Sequence, residues 1–171
     1  MTTLTKAVSS AGWLKDVNDN FDAFNSKAGG DVGLGVMHVA RFLFNTAADD
    51  SSGAANTTVA AHGTGVTIPA QSIVCGGFFD VNTLFTSAGG NTGQIAISVE
   101  GANDIQTAAA VSGAPYSTIG RKAIVPKANT PESTSIKTTQ AREITCTVSV
   151  QALTAGKLTG YIYYLEGIAS A

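Results

Sequence analysis

The sequence is short of charge: Asp, Glu, Lys and Arg together make up 13% of the chain, about half the share usual in soluble domains. A net charge of −2 and a pI near 5.5 exclude a protein that grips nucleic acid through a basic face. The densest basic stretch, "GRKAIVPK", holds Arg121, Lys122 and Lys127 and reads as a solvated loop. No apolar run reaches the length of a membrane span, and the amino-terminal "MTTLTKAVSSAGWL" lacks the apolar centre of a signal peptide. Neither a membrane partner nor export is expected, and synthesis in a cytoplasm is.

Cysteine and histidine are scarcer still, with two of each. Cys75 in "SIVCGGFF" and Cys146 in "EITCTVSV" lie in apolar, strand-like runs, where a free cysteine behaves as a small hydrophobe. No disulfide framework is expected. His38 and His62 have no second ligand at metal spacing, so a zinc site is not expected either. There is no G-x-S-x-G elbow, and nothing near either cysteine lowers its thiol pKa. Asp80, Glu100 and Asp104 offer carboxylates of the kind glycoside cleavage uses, with no spacing that pairs them. "GGDVGLG" (Gly29 to Gly35) and "AGKL" near Lys157 lack phosphate-loop spacing. The sequence predicts no catalytic residue, no cofactor and no metal.

What the chain does have is 44% apolar residues, 19 glycines and a polar remainder dominated by Ser, Thr, Asn and Gln in 171 residues. That is enough for one domain with a sizeable core and an appendage. A sparsely charged surface suits a protein whose faces are covered by neighbours.

The stretch "KDVNDNFDAF" (Lys15 to Phe24) places Asp16, Asn18, Asn20 and Asp22 at alternate positions, like a calcium loop. That loop needs glycine at its sixth position and a bidentate glutamate at its twelfth. Phe21 and Lys27 stand there instead. Leu14, Val17, Phe21 and Phe24 are spaced three, four and three apart, which makes one apolar stripe of an amphipathic helix. Ser9 or Ser10 caps it and "AGG" (Ala28 to Gly30) stops it. So short a helix is marginal alone. Trp13, Leu14, Val17, Phe21 and Phe24 are therefore expected to be buried against the chain's own domain, sister copies or a partner.

After Gly35 the apolar period changes from helical to alternating. "QIAISVE" and "REITCTVSV" read as half-buried antiparallel strands, while "VMHVARFLF", "SIVCGGFFDV" and "TGYIYYLEG" are apolar on both sides. Gly76 and Gly77 mark a bulge. Shorter strands are expected near Thr57 to Ala60, Ile105 to Ala109, Ala123 to Val125 and Ser135 to Thr138, and turns at "AADDSSGAAN", "SAGGNTG", "SGAP", "KANTPES" and "TAGK". Tyr161, Tyr163 and Tyr164 suit core and cross-strand packing or an interface. The expected fold is all-β: a jelly-roll-like antiparallel β-sandwich over residues 31–171, preceded by an amino-terminal arm and amphipathic helix over residues 1–30.

The segments "GVTIPAQSIVCGGFFDVNTLFTSAGGNTGQIAISVEGANDI" (Gly65 to Ile105) and "KTTQAREITCTVSVQALTAGKLTGYIYYLE" (Lys137 to Glu166) resemble a β-sandwich module of tailed-bacteriophage virion proteins. "TIPA", "DVNTLFT", "VEGAND" and "ALTAGKL" carry the resemblance, which is to capsid decoration (cement) proteins and to head or tail fibres. It implies a structural virion protein with the major capsid protein as partner. A fibre shaft needs long repeats or heptads, and the chain has neither. The leading expectation is a non-enzymatic cement protein on the capsid surface that bridges neighbouring capsid subunits. A fibre or receptor-binding component is second, and a small carbohydrate-active enzyme a distant third. Low charge, strands apolar on both faces and the short helix stripe further predict a symmetric homo-oligomer, a trimer first.

Overall fold

A computed structural model describes residues 37–47, 56–126 and 135–167. The expected arm and helix, with Trp13, Leu14, Val17, Phe21 and Phe24, lie outside the described residues. Those described form nine strands: β1 (Met37–Asn45), β2 (Ala61–Ile68), β3 (Ile73–Ser87), β4 (Gln94–Ser98), β5 (Gln106–Ala110), β6 (Gly120–Ile124), β7 (Ile136–Lys137), β8 (Arg142–Ser149) and β9 (Leu153–Leu165). Every pairing is antiparallel. One sheet, here sheet A, runs β1-β9-β3-β6, with β7 also on β3. The other, sheet B, runs β2-β8-β4-β5.

The pairings are nested: β1 with β9, β2 with β8, β3 with β6 and β4 with β5. A chain paired in this way is one long antiparallel hairpin rolled into two sheets, which is the jelly roll. The expected all-β sandwich is therefore present, with jelly-roll connectivity.

Alternation along each strand fills the space between the sheets. Phe42 and Phe44 of β1, Val74, Phe79 and Val81 of β3, and Leu158 and Ile162 of β9 point inward from sheet A. Ile68, Ile95, Ile97, Ile144, Cys146 and Val148 meet them from sheet B, and all are buried. Each such side chain contributes about 1.5–3 kcal/mol by leaving water. Tyr116, from the loop after β5, closes one side of the core, stacked on Phe79 at 5.8 Å and edge-on to Phe85 at 5.7 Å.

Two glycines let the central strands come this close. Gly160 of β9 lies between Phe42 and Phe79 in register, and a Cβ there would overlap the edge of the Phe42 ring. Gly77 of β3 backs onto the carbonyl oxygen of Tyr161, where a Cβ has no room. The expected bulge is present, since the β3–β9 register shifts between Val74 and Gly76. Cys75 is the extra residue.

Four expectations are corrected. "GRKAIVPK" is not a loop throughout, since Gly120–Ile124 forms β6 and Arg121 pairs with Asp80 across the sheet. Cys75 is exposed, whereas Cys146 is buried, because Cys75 follows the inward Val74 in β3 and so falls on the outer side of sheet A with Ile73. "TAGK" is no turn: it lies inside β9, where Gly156 carries a positive φ of 139° and Phe85 fills the place of its missing side chain. The reversal falls earlier, at Val150 (φ 68°) and Gln151. Thr57 to Ala60 forms turns, and the strand begins at Ala61, in "AHGTGVTI", whose glycines hide its alternation.

Candidate docking face

The outward sides of the two sheets differ in kind. On sheet B the outward residues of β8 and β4 are Glu143, Thr145, Thr147, Gln94 and Ala96, as the register with the inward Ile144, Cys146 and Ile95 requires. They are short, polar or small, and none is aromatic.

Sheet A is built otherwise. Inward Phe42, Phe44, Ile162 and Phe79 put Met37, Val39, Arg41 and Leu43 of β1 on the outside, beside Leu165, Tyr163, Tyr161 and Thr159 of β9. Next to these come Ile73, Phe78 and Asp80 of β3. Beyond them lie Ala123 and Arg121 of β6 and Lys137 of β7. Met37 (57% exposed), Val39 (54%) and Ile73 (39%) stand open to solvent. Such apolar groups gathered on one face, next to aromatic rings, mark a surface made to meet another molecule.

The centre of the face is an aromatic ladder. Phe78 stacks on Tyr161 across the β3–β9 pair at 4.8 Å and meets Tyr163 edge-on at 6.1 Å. On its far side the Arg121 guanidinium carbon lies 4.2 Å from the Phe78 ring centroid, a cation–π contact. Arg121 Nε and Nη2 donate to Asp80 Oδ1 and Oδ2 at 3.2 and 3.3 Å, and the Asp80 carboxylate raises the Arg121 pKa. The rings are thus locked by neighbours before any partner arrives, so little rotamer freedom is left to lose on docking.

Tyr164 belongs elsewhere. It faces inward at the end of β9, its ring 5.3 Å from that of His38, whose Nε2 is 3.7 Å from Glu166 Oε2. The three tyrosines considered together in the sequence are therefore split, Tyr161 and Tyr163 outward and Tyr164 inward. The period of two in "YIYY" carries that split. The parts of Met37, Val39, Ile73 and Phe78 did not stand out, because an apolar run shows no sidedness until its neighbours fix one.

The carboxylates weighed for glycoside cleavage are each engaged separately. Asp80 holds Arg121. Glu100 accepts from Arg142 Nε and Nη2 at 2.9 and 3.0 Å and from Thr139 Oγ1 at 2.6 Å, and these bonds lower its pKa to about 2. Asp104 accepts the backbone N–H groups of Val99, Glu100 and Gly101 at 2.8–3.0 Å and so shapes the loop after β4. His62 Nε2 lies 2.8 Å from the Thr58 carbonyl oxygen. Among the described residues no three His, Cys, Asp or Glu side chains gather as a metal would need, and no helix is long and apolar enough to cross a membrane.

No protein-family model and no curated protein matches the chain. Solved structures do. A chain of the cyanophage Pam1 capsid asymmetric unit is similar over 80% of this chain and 90% of its own, with a TM-score of 0.54 at 16% identity. A chain from the acidic stable capsid structure of Helicobacter pylori bacteriophage KHP30 is similar over 78% and 90%, with a TM-score of 0.51 at 10% identity. At such identities the likeness is one of fold.

Proposed function

We propose that this chain is a structural protein of a bacteriophage virion that decorates the capsid surface and bridges neighbouring major capsid subunits. The observation that carries this reading is the contrast between the two outer faces, one polar and one apolar with a locked aromatic ladder. A jelly roll of this size gains nothing for its own folding from Met37, Val39 and Ile73 in water, so that face is made for an assembly. The fold likeness to chains of two phage capsids and the resemblance to decoration modules point to the same kind of assembly. The role needs no catalysis.

A protein that binds the mature shell and not the opened one adds its binding free energy to the barrier against opening. Bridging two shell subunits makes the second contact intramolecular, so modest contacts suffice. A homotrimer joined through the stripe Trp13, Leu14, Val17, Phe21 and Phe24 would multiply the effect. That assignment rests on the sequence spacing alone.

Heat-triggered DNA release tests the function. Particles carrying the wild-type protein, the Phe21→Ser/Phe24→Ser variant or no protein are compared, and cryo-electron microscopy locates the protein on them. The wild type is expected on the outer shell and to raise the release temperature above that of the other two. Equal release temperatures for all three would reject decoration.

A further inference from the structure

We propose that the outer face of sheet A docks on an acidic protein surface of a different chain, and not on a second copy of itself; the inference rests on the decoration reading and names the face that meets the shell. Charge placement singles out the occupant. The chain as a whole is at −2, yet among the described residues this face carries Arg41, Arg121, Lys137 and Lys157 against Asp80 alone. Asp80 is already held by Arg121.

The cations surround the apolar centre. Lys137 sits opposite Ile73 at one end, Lys157 opposite Asn45 at the other, and Arg41 on the edge strand opposite Tyr161. An apolar and aromatic centre within a polar rim is the usual anatomy of a protein interface. A rim of one sign calls for the other sign in its partner.

The same placement argues against the alternatives. Two copies meeting face to face would set cations against cations, which costs free energy and leaves them unpaired. Nucleic acid would find the cations, but Met37, Val39 and Ile73 offer phosphates nothing, and the Phe78 ring is already covered by Tyr161 and Arg121. A protein surface with aliphatic groups ringed by carboxylates satisfies both halves of the face.

The test uses the full chain and shells assembled from the major capsid protein without it. Three double variants are compared with the wild type: Arg41→Glu/Lys157→Glu for the rim, Val39→Ser/Tyr163→Ser for the centre, and Thr145→Glu/Thr147→Glu as a control on sheet B. Thermal unfolding checks that each folds. The rim variant alters only surface charge and decides the question if the centre variant does not fold.

Rim and centre variants are expected to lose more than tenfold in shell affinity and the control to lose little. Wild-type affinity should fall with salt, and the rim variant should lose that dependence. Shell binding left intact in the rim and centre variants would overturn the inference while sparing the decoration reading. Wild-type protein that ignores the shell would instead reject decoration. Carbodiimide treatment of intact virions, which joins an amine to a touching carboxylate, then decides the face by itself. Lys137 or Lys157 joined to an Asp or Glu of another protein supports the proposal. Joining only to other copies of this chain overturns it, as does single-stranded DNA binding that the rim variant abolishes.

Discussion

Phe42 of β1 and Gly160 of β9 face each other across the sheet, and the Phe42 ring occupies the space that a side chain on Gly160 would take. A methyl group there must push a fully buried ring off its rotamer. Gly160→Ala is expected to cost about 1–3 kcal/mol, the range for overpacking a filled core, as read from urea unfolding. Adding Phe42→Leu should recover part of that loss. Simple additivity of the two losses would show that the ring and the glycine do not share the space.

Acid should find the Glu100–Arg142 pair. Hydrogen bonds from Arg142 and Thr139 lower the Glu100 pKa from 4.5 to about 2. A carboxylate held lower in the folded state stabilises the fold above its unfolded value and loses that contribution as pH falls through the folded one. Glu100→Gln should melt below the wild type at pH 7, and the gap should shrink between pH 4.5 and 2. A gap that stays constant over that range would place the role of Glu100 outside its charge.

The two thiols should differ sharply. Cys75 is exposed on its bulge, whereas Cys146 is buried and burial pushes its pKa up. A maleimide is expected to take up one equivalent quickly on the native protein and a second only on unfolding. Cys75→Ser should abolish the fast phase. Fast labelling that survives this change would mean Cys146 is reached from solvent. Since Cys75 lies on the outer face of sheet A, its labelling should also slow when the protein sits on particles.

Tyr116 buries a hydroxyl that has no hydrogen-bond partner among the described residues. Tyr116→Phe keeps the ring contacts with Phe79 and Phe85 and removes an unmet polar group, so it should leave stability unchanged or raise it by up to about 1 kcal/mol. Tyr116→Ala should cost about 3–5 kcal/mol. Burial also raises the Tyr116 pKa above its ordinary 10.0. The unfolded chain therefore gives up its proton first, and stability should fall as the medium passes pH 10. That decline should be shallower in Tyr116→Phe, and equal slopes would contradict the assignment.

The alternation in "REITCTVSV" survives in β8 residue for residue, because that strand has one face in the core and the other towards water, whereas in "QIAISVE" it sets the direction of the β4 side chains although outward Ala96 and Ser98 are buried as well. "VMHVARFLF" and "GYIYYL" carry apolar residues on both sides, and their strands do too. Which side was the core depended on partners far along the chain, such as Ile162 beside Ala40 and Gly77. β2 was missed because Gly63 and Gly65 look like loop residues. Gly63 lies against the Glu143 carboxylate, which accepts the Gly65 N–H at 2.7 Å, a relation to another strand that no local window contains. The aromatic ladder was half legible: two of its rings share a strand, but Phe78 and Arg121 join them only through register.

The first-to-last pairing of the jelly roll also sets a timetable for folding. Thr46, just past β1, donates to the carbonyl oxygen of Gly156, 110 residues further on. A ribosome adding about 5–20 residues per second needs on the order of 5 to 20 s to cover that distance. In the later part of that time β1 stands outside the exit tunnel with its strand partner still unmade, and Met37, Val39 and the inward phenylalanines are open to any other strand nearby. Newly made chains should thus be most prone to clump before release, and slowed translation or chaperone capture in that interval should govern how much folded protein a cell yields.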